Sequence, residues 1–97
     1  MRQFDIVKLT GGDLAVVLQS DLLRRFSTRV VVPLLPLAEV DATPRLHPIV
    51  QVGRRRLAVA MEQIVSVRST DIVKVVGTAR SSQYEIQRAY DIILAGL

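Results

Sequence analysis

Side-chain catalysis needs an acid, a base, a nucleophile or a set of metal ligands, and this sequence is sparing with all four. Its carboxylates, Asp5, Asp13, Asp21, Glu39, Asp41, Glu62, Asp71, Glu85 and Asp91, show no spacing that pairs two of them on one recognisable scaffold. With zero cysteines there are no disulfides, thiolate metal sites or cysteine nucleophiles, and the single histidine, His47, leaves an imidazole-based metal site short of ligands. His47 lies between Leu46 and Pro48 at the start of an apolar stretch, where a histidine is ordinarily packed or hydrogen-bonded rather than catalytic. Thr10-Gly11-Gly12-Asp13 has the glycines of a phosphate loop but neither the lysine nor the following helix that would supply N–H donors, so it reads as a turn.

Positive charge is more plentiful. Thirteen Lys and Arg against nine Asp and Glu give a net charge of +4, with clusters at Arg24/Arg25/Arg29 and at Arg54/Arg55/Arg56. Such a surface attracts either nucleic-acid phosphates or an acidic protein segment, and charge alone does not separate the two. Phe4, Phe26, Tyr84 and Tyr90 are the only aromatics, too few to supply good stacking platforms for single strands. The Arg54–Arg56 run reads in the first place as a solvated hairpin tip that keeps a sheet edge from aggregating.

The elements that must position these residues are mostly strands. Phe4–Leu9 and Leu14–Leu18 flank the Gly-Gly turn as a hairpin. Gln19-Ser20-Asp21 ends the second strand, and the connection to the next carries Leu22, Leu23 and Phe26, which must fold back or be offered to a partner. Arg29–Leu37 is the strongest strand signal, with a bend expected near Pro33 because proline donates no ladder bond. Glu39 to Pro44 is a polar turn region. Leu46–Val52 and Arg56–Ala60 read as a second hairpin around Gly53-Arg54-Arg55, Met61–Val65 as one helical turn, and Ile72–Val76 as a last strand. From Gln83 to Leu97, Ile86, Ala89, Tyr90, Ile93, Leu94 and Leu97 recur at three- and four-residue steps, the spacing of an amphipathic helix. Ser81 or Ser82 is placed to cap its start and Gly96 to end it, with Ile86, Ala89, Tyr90 and Ile93 expected to pack on the sheet.

This order predicts a single α+β domain over residues 1–97, an antiparallel barrel-like sheet closed by one C-terminal helix. Hydrophobic residues make up 49% of the chain, more than one small core easily hides, so a partner interface and a dimer are expected. The apolar runs fall well short of the roughly 20 residues of a membrane span. The opening Met-Arg-Gln-Phe-Asp has no signal-peptide core, which points to the cytoplasm.

Five stretches, in order and spacing, carry a family resemblance: Gln3–Val7, Leu18–Leu23, Thr28–Leu34, Arg45–Val50 and the ending Asp91–Leu97. Together they resemble the CcdB-like toxins of bacterial toxin–antitoxin pairs along nearly the whole chain. The resemblance implies a homodimer with an SH3-like barrel, a small side sheet and a C-terminal helix. It also implies a non-enzymatic toxin, without cofactor, that binds the A subunit of DNA gyrase, stalls the enzyme on cleaved DNA, and is neutralised by a cognate antitoxin. Sequence-specific nucleic-acid binding is not implied. Carried over by position, the gyrase contact falls on Ser20 and Leu22 in the loop after the second strand and on Asp91, Leu94, Ala95, Gly96 and Leu97 in the tail. Ala95 stands where the best-known plasmid-borne member has tryptophan. Antitoxin binding has independent support, since a disordered acidic segment is drawn to an arginine-rich surface. Two alternatives stay open: a toxin fold that no longer poisons gyrase, and a PemK/MazF-like endoribonuclease using Arg29 or Arg54–Arg56 on RNA phosphates.

Overall fold

The computed structural model describes residues 1–40 and 45–95, so most of the turn region expected over Glu39 to Pro44 and the helix end expected at Gly96 lie outside the described residues. The strands are β1 (Asp5–Leu9), β2 (Leu14–Val17), β3 (Thr28–Pro36), β4 (Ile49–Val52), β5 (Arg55–Val59), β6 (Val65–Arg68) and β7 (Ile72–Thr78), followed by helix α1 (Gln83–Ala95). All strand pairings are antiparallel.

Strand β3 organises the rest. Its first part pairs with β2 along one edge, Val31 opposite Val17 and Pro33 opposite Ala15, and with β6 along the other, Thr28 opposite Arg68 and Val31 opposite Val65. From Leu34 onward it pairs with β5 instead, Leu34 opposite Val59 and Pro36 opposite Leu57. The irregularity expected near Pro33 is thus a change of partner. Proline has no N–H to give, but the Pro33 carbonyl still accepts from the Ala60 N–H at 3.0 Å.

In the order β6-β3-β2-β1-β7 the two edge strands are joined by nothing more than the 3-10 turn Ser69–Asp71. Four strand spacings in a flat sheet would need about 19 Å, whereas the steps from Arg68 to Ile72 cover about 8 Å in a 3-10 conformation. The sheet therefore curls into a half-barrel. Successive side chains then fall into two cores, because strand neighbours point to opposite faces. Val7, Ala15, Val17 and Val31 fill the inside of the curl, with Leu9, Val67 and Ile72 against them. Ile6, Val16 and Val32 face outward, where Val50, Leu57 and Val59 of the β4–β5 flank and Ile86 and Ala89 of α1 cover them.

The hairpins follow the glycine signals. Gly11 and Gly12 both sit at positive φ, 98° and 99°, between β1 and β2. Gly53, at φ 61°, opens the tight turn between β4 and β5, so that Arg55 already belongs to the strand.

Several expectations are corrected in detail. The stretch Met61–Val65 splits into a 3-10 turn, Met61–Gln63, and the start of β6, a strand not anticipated from sequence. Ser81 and Ser82 lie inside a 3-10 turn that runs directly into α1, and the side-chain bond at its start comes from Thr78, whose Oγ1 accepts from the Arg80 N–H at 3.1 Å. Ile86 and Ala89 are buried and Ile93 packs partly against the same core, but Tyr90 stays 40% exposed. Among the described residues no helix is long and apolar enough to cross a membrane.

Because Ile86 is the large helix residue that seals the outer core, Ile86→Ala is expected to lower unfolding free energy by about 2–5 kcal/mol. Urea unfolding followed by circular dichroism checks this, with the midpoint falling and the denaturant slope unchanged.

Candidate functional site

The segment between β2 and β3 turns through polar residues that satisfy its backbone locally. The Ser20 Oγ accepts from the Leu22 N–H at 3.2 Å and caps the 3-10 turn Asp21–Leu23. Gln19 bridges loop and sheet: its Oε1 accepts from the Val30 N–H at 3.1 Å and its Nε2 donates to the Leu23 carbonyl at 2.9 Å. From the N-terminal segment, the Gln3 N–H donates to Asp21 Oδ1 and the Gln3 Nε2 to the Leu18 carbonyl, each at 2.8 Å. Arg29 closes the far end by donating to the carbonyls of Arg24, Phe26 and Thr28.

With its polar groups engaged inward, the loop holds its hydrophobes outward. Leu22 is 91% exposed, and Leu23 and Phe26 are exposed beside it. The apolar side chains of the connection therefore do not fold back into the core. A cavity of about 620 Å³ separates the loop from α1, with Phe4, Leu18, Leu23, Phe26, Ile86 and Tyr90 among its walls. Phe4 forms its floor from an uncommon conformation, φ 69°, which a bulky side chain rarely adopts. Backbone bonds on both sides hold it there: the Phe4 N–H donates to the Val17 carbonyl and the Phe4 carbonyl accepts from the Ala79 N–H, both at 2.7 Å. Phe4 thus lies just outside β1 instead of beginning it.

Ser20 and Asp91, from the two ends of the sequence, line this one cavity. Leu22 projects from the loop, while Leu94, 67% exposed, and Ala95 lie exposed on the last turn of α1. Gly96 and Leu97 lie outside the described residues. On the exposed side of the helix, Arg88 Nη1 donates to the Tyr84 hydroxyl at 3.1 Å and its guanidinium sits 5.7 Å from the Tyr84 ring centroid. That hydrogen bond raises the pKa of Arg88 above the ordinary arginine value. His47 pairs instead with Glu62, Nε2 to Oε2 at 2.6 Å, and neither residue lines the cavity.

Sequence reasoning passed over Gln3, Gln19 and Asp21 as contributors. The polar run Gln19-Ser20-Asp21 ending an apolar strand was their one signal, but nothing local reveals that Gln19 reaches Val30 or that Asp21 reaches Gln3.

An exposed apolar loop and the body of α1 border one cavity on a small curled-sheet scaffold, an arrangement that can receive part of another macromolecule. A family model described as CcdB protein matches residues 3–96, and the chain belongs to the CcdB family, whose members are toxins of toxin–antitoxin pairs. Among curated proteins no sequence matches. Among solved structures the fold is similar to an "Endoribonuclease in complex with its cognate antitoxin from Mycobacterial species", with a TM-score of 0.80, 11% identity, and coverage of 98% of this chain and 95% of that one.

Since Leu22 contributes almost no packing, Leu22→Ala is expected to change unfolding free energy by less than about 0.5 kcal/mol. Gln19→Ala, which strips partners from Val30 and Leu23, is expected to cost about 1–3 kcal/mol. Parallel urea titrations compare the two.

Proposed function

We propose that this chain is a non-enzymatic toxin that binds the A subunit of DNA gyrase and stalls the enzyme on cleaved DNA. Contact is made by Ser20 and Leu22 from the loop and by Asp91, Leu94, Ala95, Gly96 and Leu97 from the tail. The observation that carries this reading is the convergence of Ser20 and Asp91 on one cavity, with Leu22 and Leu94 held out in solvent nearby on their own elements. Family membership supports the same assignment.

The active form is a homodimer with an SH3-like barrel in each protomer, so that two tails act together. The exposed Val65 of β6 and Val73, Val75 and Val76 of β7 support this, since they leave apolar sheet edges of the kind that association covers. The protein works in the cytoplasm and is neutralised by a cognate antitoxin whose disordered acidic segment meets the arginine-rich surface. Ala95 offers a target far less area than an aromatic anchor, which is typically worth 2 kcal/mol or more at about this kind of hot spot. The apolar contact accordingly shifts to Leu22 and Leu94.

The fold likeness to an endoribonuclease favours a second reading, an endoribonuclease toxin acting on RNA through Arg29 or Arg54–Arg56. At 11% identity the likeness extends to the fold alone. The engagement of Arg29 with its own loop supports the first reading, as does a cavity lining that includes neither His47 nor Glu62.

Purified gyrase with plasmid DNA separates them. The wild-type chain is expected to accumulate linear, protein-linked DNA, and both Leu22→Asp and deletion of Ala95–Leu97 are expected to abolish it. Cleaved cellular transcripts without linear DNA would establish the ribonuclease, and toxicity that survives the deletion would remove the tail from the site.

A further inference from the structure

Arg29 stands at the return of the loop into β3, and its guanidinium turns back onto the segment it follows. Nη2 donates to the Arg24 carbonyl at 2.7 Å, while Nη1 donates to the Thr28 carbonyl at 2.9 Å and to that of Phe26. Three carbonyls of one short stretch thus converge on a single side chain. The planar fork reaches them from two separate nitrogens held in fixed geometry, whereas an ammonium carries all its donors on one nitrogen and cannot occupy both positions. The start of the loop is fixed by other groups, Ser20 as the cap, Gln19 to Val30 and Leu23, and Asp21 to Gln3.

We infer that Arg29 is the positioning residue of the target-contacting loop, its guanidinium gathering the carbonyls of Arg24, Phe26 and Thr28 so that Leu22 and Phe26 are presented in one shape before a partner arrives. The inference rests on the proposed role of that loop in gyrase binding. Its physical content is preorganisation: a loop already ordered in the free protein spares association the entropy of ordering it. Charge is incidental to this role. A residue that keeps the charge without the fork therefore distinguishes it from a phosphate contact.

The test uses the full chain as wild type, as Arg29→Lys, and as Arg45→Lys for a control at an exposed arginine outside the loop. Amide hydrogen exchange is followed at Leu22, Leu23, Arg24 and Phe26, whose N–H groups are bonded within the loop, and at core amides of β1 and β2. Affinity for the purified gyrase A subunit is measured by calorimetry. In Arg29→Lys the loop amides are expected to exchange roughly tenfold faster with core amides unchanged, and affinity to fall roughly tenfold, on the order of one lost hydrogen bond. Arg45→Lys should match wild type in both.

Loop exchange in Arg29→Lys indistinguishable from wild type would overturn the inference, and so would faster exchange with unchanged affinity. Equal acceleration of loop and core amides would also overturn it, because Arg29 would then hold the fold rather than the loop. If wild type does not bind gyrase A, the proposed function falls, and the exchange comparison by itself decides whether Arg29 shapes the loop.

Discussion

Everything in this fold hangs on one strand serving two sheets. Strand β3 is bordered on both edges at Val31 by β2 and β6, then hands its pairing to β5 at Leu34. A proline inside a fully paired strand would leave a neighbour's carbonyl without a donor. Here Pro33 falls at the handover itself, where the ladder is already interrupted and the Pro33 carbonyl is met by the Ala60 N–H. Val31 points into the curl and Val32 and Leu34 point toward the helix, so the same strand supplies both cores. Its first residue also receives the loop that carries Leu22, which ties the position of the site to the packing of the centre.

That coupling explains how a small domain keeps hydrophobic side chains in water without collapsing around them. Burying Leu22 would be favourable by roughly 25 cal/mol for each Å² removed from solvent, and the cavity beside it has the space. What opposes the collapse is the hydrogen bonding of the loop: turning Leu22 inward would break the Ser20 cap and pull Asp21 from the Gln3 N–H. Partly buried polar groups left unpaired cost as much as the area would return. The exposed leucine is therefore held in place by polar bonds within the protein itself.

The sequence made the strands and helix legible where hydrophobic pattern and glycine chemistry act over a few residues. The Gly11-Gly12 and Gly53 turns, the β-branched run of β3 and the Ile86/Ala89 face of α1 all follow from local rules. Strand β6 escaped because Val65-Ser66-Val67-Arg68 is short and borders a 3-10 turn, and its strand character comes from pairing with Thr28–Val31 far back in the chain. Tyr90 fits the apolar helical spacing equally well, yet it faces the cavity and not the sheet, since periodicity fixes a direction around the helix and says nothing about where the neighbouring layer ends. For the loop, the residue types left two outcomes open for Leu22, Leu23 and Phe26. Hydrogen bonds between residues far apart in sequence decided between them.

The likeness to an endoribonuclease at a TM-score of 0.80 makes the remaining question one of sites rather than folds. A ribonuclease site needs a proton donor and acceptor within reach of one phosphate, together with cations free to hold it. In this chain His47 pairs with Glu62 away from the residues that line the cavity, and Arg29 donates to three backbone carbonyls of the loop. The groups left pointing outward at Leu22 and Leu94 are hydrocarbon, which recognises shape and area and does no proton transfer. On the reading proposed above, such a surface stops an enzyme by occupying it. Around this loop the polar side chains of Gln19, Ser20, Asp21 and Arg29 are engaged with the protein's own backbone, and on the proposed reading their work is to hold the apolar surface in shape for its target.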